Sequence, residues 1–224
     1  LAGINYRKAD ASVRGLFAIN HEQYSRLFTL APQHHIKEFF VVSTCNRTEI
    51  YGLADDALTL SRLLCTQTEG SIDQFCGMAY VKSGVEAVEH FFNVAAGLDS
   101  QILGDYEIVG QIKAAVKLAK EADFINVFTE RLVNSVLQSS KNIKTNTELS
   151  SGTVSVSFAA VQYIKEKVQN FADKKIVLLG TGKIGRNTCK NLVDYLGTRN
   201  ITLINRSEEK AAELARELGL KFVP

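Results

Sequence analysis

Apolar positions along the chain switch between two spacings, and the changeovers mark its elements. Residues 1–5 and 39–42 are short apolar runs of strand length, and residues 48–53 read as the continuation or partner of the second. The polar Ser43-Thr44-Cys45-Asn46-Arg47 between the last two is a tight turn, which predicts Cys45 at a sheet edge or mouth. Helical spacing covers residues 56–67, 84–96, 105–119, 126–146 and 152–171, with a short strand at 79–82 and a connection at 100–104. In 84–96 it places Val85, Val88, Phe92 and Ala95 on one stripe and His90 on the opposite face. That phase makes His90 either a solvated surface residue or a group pointing into a site, not a core histidine. Val109, Ile112, Val116 and Ala119 face inward in the next helix, and Lys141 and Lys144 suit the C-terminal dipole of the one after.

The last third has a different rhythm. Residues 174–179 form a β-branched strand, Gly180-Thr181-Gly182-Lys183-Ile184-Gly185 a glycine turn, and an amphipathic helix runs on through Leu196. In such a unit the first glycine permits the turn, the second admits a pyrophosphate and the third allows close helix–strand packing. A second strand, 200–204, ends at Asn205, twenty residues after Gly185, where an NAD enzyme would carry an acid. Asn205-Arg206-Ser207 stands there instead, and a guanidinium with neutral neighbours favours NADP. Ser207 also reads as a cap for the helix to Leu218, with Glu208 and Glu209 complementing the dipole.

Composition narrows the class. The 224 residues suffice for one large or two ordinary domains, and 46% hydrophobic with 22% charged residues is a globular balance. A net charge of +2 without a long basic run permits a nucleic-acid partner and does not announce one. There is no membrane-length apolar run and no signal-peptide pattern, and the four cysteines lack metal-ligand spacing. A soluble, cytoplasmic protein with reduced thiols is expected. The only prolines are Pro32 and Pro224, so the domain change is placed near Ser150-Ser151-Gly152. A start at Leu1 within a strand, and an end just as a third nucleotide-fold strand begins, read as a piece of a longer enzyme.

Cys45 carries the most chemistry. A lone cysteine is commonly a small buried hydrophobe. Here the thiol stands two residues before Arg47, whose guanidinium can favour a thiolate and pair with a carboxylate, an arrangement that suggests acyl chemistry.

Four signatures then occur in order: Ser43 to Tyr51; Ala96-Gly97-Leu98-Asp99-Ser100-Gln101-Ile102-Leu103-Gly104 with Gly110-Gln111; Gly152 to Gln162; and the Gly180 and Asn205-Arg206 motifs. Together, over nearly the whole chain, they resemble the glutamyl-tRNA reductase family. The resemblance implies an α/β protein: a mixed α+β catalytic domain with a helical part at 1–150, then at 151–224 a linker helix and the beginning of a Rossmann-type NADP-binding domain, truncated. It implies NADPH-dependent reduction of glutamyl-tRNA to glutamate-1-semialdehyde through a cysteinyl thioester, the first step of tetrapyrrole synthesis. The implied partners are glutamyl-tRNA, a second copy in a homodimer of the full-length protein, and the aminomutase that follows.

By the same resemblance Cys45 is the nucleophile and His90 a catalytic group near the thiol, either polarising the ester or protonating the leaving oxygen. Thr44, Asn46, Arg47, Glu49, Ser100, Asp105 and Glu107 fall at substrate-binding positions. Gly180, Thr181, Gly182, Lys183, Ile184, Gly185, Asn205, Arg206 and Ser207 fall at cofactor-binding positions, and no metal is implied. The chain departs from the family at Asp105-Tyr106-Glu107, where Glu-Pro-Gln is usual, and at Asn5-Tyr6-Arg7-Lys8-Ala9-Asp10, where Asn-His-Lys-Thr-Ala-Pro is usual. Two other classes share some features: an NADP-dependent dehydrogenase of the shikimate dehydrogenase kind, which has no need of Cys45, and a non-catalytic NADP-binding regulator with Cys45 as redox sensor.

Overall fold

The computed structural model describes residues 1–147, 149, 156–168 and 173–223. Two compact units divide the chain, Leu1–Ser151 and Gly152–Pro224. The first contains, in order, β1 (Ala2–Asn5), α1 (Ala11–Gly15), α2 (His21–Leu30), a 3-10 turn (Ala31–His34), β2 (Glu38–Ser43), β3 (Arg47–Leu53), α3 (Ala57–Cys65), α4 (Ile72–Met78), β4 (Tyr80–Val81), α5 (Gly84–Ala95), α6 (Glu107–Glu121) and α7 (Val127–Asn146). Its sheet is antiparallel throughout, in the order β2-β3-β1-β4.

Local chemistry accounts for several helix starts. Asn20 with Gln23, and Ser71 with Gln74, form reciprocal capping boxes, and the Asp56 carboxylate accepts the Thr59 N–H at 2.7 Å. β2 and β3 are buried almost end to end instead of alternating, because helices cover both faces of the sheet. Phe17, Phe39, Phe40, Phe75 and Phe91 are all sealed in this core, each burial contributing about 1.5–3 kcal/mol.

One helix is rotated from its expected phase. In α5 the buried residues are His90, Phe91, Val94 and Ala95, while Val85, assigned to the inward stripe, is 83% exposed. His90 is therefore within the packed face, contrary to the spacing argument. Polar character does not keep it outside, because a buried carboxylate of β3 satisfies its ring nitrogen. The strand expected at 79–82 shrinks to Tyr80–Val81, since it pairs only with Ala2 and Gly3 of β1.

The second unit contains α8 (Val156–Lys167), β5 (Ile176–Leu179), α9 (Lys183–Leu196), β6 (Ile201–Ile204), α10 (Glu208–Leu218) and β7 (Lys221–Val223). Its sheet is parallel in the order β5-β6-β7, with Ile176 opposite Ile201 and Thr202 opposite Lys221. Val161, Cys189, Leu192, Leu203 and Leu214 form its core. The strand–turn–helix–strand alternation is that of a nucleotide-binding α/β fold. Ser207 precedes α10, but its hydroxyl makes no capping bond, so the helix start rests on Glu208 and Glu209 complementing the dipole. The expected domain change at Ser150-Ser151-Gly152, and parts of the helix expected at 152–171, lie outside the described residues. Among the described residues no helix is long and apolar enough to cross a membrane.

Candidate active site

The β2–β3 turn is held from inside. Thr44 N–H donates to the Arg47 carbonyl at 2.7 Å, and the Thr44 hydroxyl accepts the N–H groups of Asn46 and Arg47, each at 3.1 Å. Thr44 is thus a brace for the turn. This leaves Cys45 exposed at the tip, its carbonyl accepting from Arg14 Nε at 3.0 Å. The Asn46 carbonyl accepts the Tyr6 N–H at 2.9 Å, so the tip is anchored to the end of β1.

Arg47 does not stand free beside the thiol. Its side chain is 2% exposed and donates to Glu49 Oε1 at 2.9 Å and to the Asp99 carbonyl, and it pairs with Asp99 Oδ2 at 3.1 Å. The reason is parity: Arg47, Glu49 and Tyr51 share one face of β3, where helix and loop cover them. Glu49 is fully buried and is the hub of this face. Its Oε1 also faces His90 Nε2 at 2.8 Å and accepts from Tyr80, while its Oε2 accepts the Tyr51 hydroxyl at 2.6 Å. Burial by itself would raise the Glu49 pKa; the His90 hydrogen bond, the Arg47 charge and the Tyr51 hydroxyl outweigh it and bring it to about 2. The Tyr80 hydroxyl is pushed up by burial and then by the Glu49 charge.

Above this network opens a cleft of about 550 Å³, whose lining includes Asn5, Arg7, Tyr80, His90, Asn93 and Asp99. Lys8 and Lys82 add charge to its rim. Asp99 is carried on the loop after α5 and is held by Arg7 at 3.3 Å, Arg47 at 3.1 Å and Asn5 Nδ2 at 3.3 Å. That loop is pinned by Gly104 N–H on the Gly97 carbonyl, and Tyr6 donates to the Ser100 carbonyl at 3.3 Å. Further along it, Asp105 Oδ1 accepts the Glu107 N–H at 3.0 Å at the start of α6. Glu49, His90 and Asp99 each present a ligand-type atom within 4.8 Å of the others. Arg47 bridges the two carboxylates, however, and its guanidinium supplies the positive charge there.

The geometry therefore joins Arg47, Glu49 and His90 in one bonded cluster, sets Cys45 on the adjoining turn, and puts Ser100, Asp105 and Glu107 on or just beyond the loop that carries Asp99. Asn5, Tyr51, Tyr80 and Asp99 had no role in the sequence reading. Asp99 lay inside a recognised motif, but Tyr80 becomes visible only once strand pairing is known.

In the second unit the glycine turn has the shape a dinucleotide needs. Gly180 adopts φ +91°, and a side chain at Gly180 or Gly182 would point into open space. At Gly185 a Cβ would lie 2.0 Å from the Gly180 carbonyl, so only glycine lets α9 pack on the turn. The Thr181 hydroxyl is buried without a hydrogen-bond partner among the described residues, and α9 begins at Lys183 with its N-terminal amides beside it. Asn205 Oδ1 accepts the Thr181 N–H at 3.0 Å, and its Nδ2 donates to the Ser207 carbonyl at 2.8 Å, so this amide braces the turn against the β6 loop. These residues fit a nicotinamide dinucleotide.

Comparison with known proteins agrees with both halves. The family model for the glutamyl-tRNA(Glu) reductase N-terminal domain matches residues 2–147, and that for shikimate/quinate 5-dehydrogenase matches residues 162–223. A glutamyl-tRNA reductase of Flavobacterium psychrophilum is 53% identical over 218 residues, covering 97% of this chain and 53% of its own length. One from Priestia megaterium is 34% identical over 227 residues, covering 99% of this chain and 51% of its own. The solved glutamyl-tRNA reductase of Methanopyrus kandleri superposes with a TM-score of 0.65 at 28% identity, over 99% of this chain and 53% of that one. The chain spans about half the length of these relatives.

Proposed function

The chain belongs to the glutamyl-tRNA reductase family, and from that premise we propose that it carries the acyl-transfer half of a reductase converting glutamyl-tRNA to glutamate-1-semialdehyde. The observation that carries this reading is the exposed Cys45 thiol on a braced turn, whose following strand runs straight into the Arg47–Glu49–His90 cluster. A thiolate is a strong nucleophile and a good leaving group, which suits an acyl group that must be taken up and then released.

In this reading Cys45 Sγ bonds to the ester carbonyl carbon, the carbon–ribose oxygen bond breaks, and the tRNA departs as an alcohol, leaving a glutamyl thioester. Bound NADPH supplies the hydride that the reductive half requires. Gly180, Thr181, Gly182, Lys183, Ile184 and Gly185 would hold its pyrophosphate, and Asn205, Arg206 and Ser207 would receive the ribose and its 2′-phosphate. Thr44, Asn46, Arg47, Glu49, Ser100, Asp105 and Glu107 remain the proposed substrate-binding set, with the division of labour that geometry supports. Thr44 and Asn46 hold the turn, Arg47 and Glu49 set the charge of the cleft wall, and Ser100, Asp105 and Glu107 approach from the Asp99 loop. Family resemblance adds a cytoplasmic homodimer of the full-length protein that passes its aldehyde to an aminomutase.

The dehydrogenase likeness is confined to the nucleotide unit and leaves Cys45 without a task. Labelled glutamyl-tRNA offered to the full-length protein should leave a hydroxylamine-labile glutamyl label on the wild type and none on Cys45→Ser. Label of equal amount and lability on both proteins would refute the assignment.

A further inference from the structure

We propose that Tyr80 is a positioning residue for the acyl transfer inferred above: reaching across Gly3 to Glu49, it fixes His90 with Nε2–H on that carboxylate and Nδ1 turned to the cleft. Gly3 of β1 pairs with Glu49 of β3 on one side and with Tyr80 of β4 on the other. Glu49 and Tyr80 are thus two strands apart, and their side chains meet over the residue between. A Cβ on Gly3 would lie 2.6 Å from Glu49 Cγ and 3.2 Å from both the Tyr80 Cζ and its hydroxyl oxygen. Any side chain there would separate the phenol from the carboxylate.

The tautomer follows from the hub. An ionised carboxylate only accepts hydrogen bonds, so His90 Nε2, 2.8 Å from Glu49 Oε1, carries the proton. In a neutral imidazole the other nitrogen is then a bare acceptor. Nδ1 has no hydrogen-bond partner among the described residues and is not sealed from solvent, and His90 lines the cleft. The Tyr80 ring packs on the His90 ring at 5.3 Å and 58°, opposing the ring flip that would exchange the two nitrogens.

This arrangement separates the two roles open to His90. In the neutral Nε2–H form the ring has no proton at Nδ1 with which to polarise an ester carbonyl by donation. It can take the proton that the Cys45 thiol loses as the S–C bond forms, and return it to the ribose oxygen as the C–O bond breaks. The ring ends neutral, and the proton ends on the departing alcohol.

The test combines spectroscopy and kinetics on the full-length protein. Two-bond 15N–1H correlation spectra of the histidine ring distinguish a protonated from a bare nitrogen. The wild type should show His90 as the Nε2–H form; Tyr80→Ala, which removes both the hydroxyl on Glu49 and the ring that opposes the flip, and Gly3→Ala, which parts phenol and carboxylate, should both show mixed forms. Thioester formation in Tyr80→Ala should slow about tenfold in kcat with KM within twofold, a fraction of the ~10²–10⁴ that a positioned acid–base group contributes. An Nδ1–H ring in the wild type, or a wild-type spectrum and kcat in both variants, would overturn the proposal. If the wild type forms no thioester, the functional reading fails, and the ring spectra still decide the geometry.

Discussion

Glu49 shows how much one carboxylate can organise. Its pKa lies well below the ordinary value of 4.5, at about 2, so the ionised form is favoured by folding. That stabilisation is complete above the ordinary value and is lost as pH falls from about 4.5 towards 2, an effect of at most about 3 kcal/mol. Urea unfolding at a series of pH values should show the wild type weakening through this window more steeply than Glu49→Gln; parallel curves would dismiss the hub. At neutral pH the substitution should itself cost up to about 3 kcal/mol, because the buried Arg47 guanidinium loses one of its two carboxylate partners and keeps only Asp99. At this scale the sequence exposes what is adjacent: Cys45, Arg47 and Glu49 lie on five consecutive residues. It hides Tyr80, which is joined to Glu49 by pairing across β1, and Asp99, whose partners lie near residues 5 and 47.

At the level of elements, periodicity located the strands and the longer helices of the second half, missed α1, α2 and α4, and misjudged a rotation. In α5 a stripe drawn through Val85 counts only apolar residues, whereas the true inward face includes a histidine made compatible with burial by a partner on another element. The correction has a measurable side. Val85→Ser should change stability by no more than about 0.5 kcal/mol, as at any exposed site, while Phe91→Ala should cost about 3–5 kcal/mol through the cavity it leaves. Comparable midpoints for the two in urea would restore the original phase. The β2–β3 turn was legible for a different reason, since its polar residues form their hydrogen bonds locally, through the Thr44 hydroxyl.

Across the molecule, the chain joins a unit built on an antiparallel sheet to one built on a parallel sheet, each with its own core. The nucleotide unit was readable because its signature is a compact run of glycines between a strand and a helix. What the sequence left open there was the structural task of Asn205, which turns out to brace the turn. Arg206 is exposed on the same loop, and the full-length protein should bind NADPH more tightly than NADH; titration of Arg206→Ala should show that gap narrowed, and equal binding by the wild type would exclude a 2′-phosphate site. The knot of Arg47, Glu49 and Asp99 also bears on how the first unit assembles. A strand displaced by one position presents its other face, so a slipped β3 would bring Thr48 to the cluster and leave Arg47 and Glu49 facing the apolar neighbours of Ile50. Such a misaligned sheet would bury the Arg47–Glu49 pair without Asp99, His90 and the Tyr80 hydroxyl, its partners on other elements. The same charges that line the cleft thus act during folding as a check on parity, weighing against any alignment that turns the other face of β3 towards it.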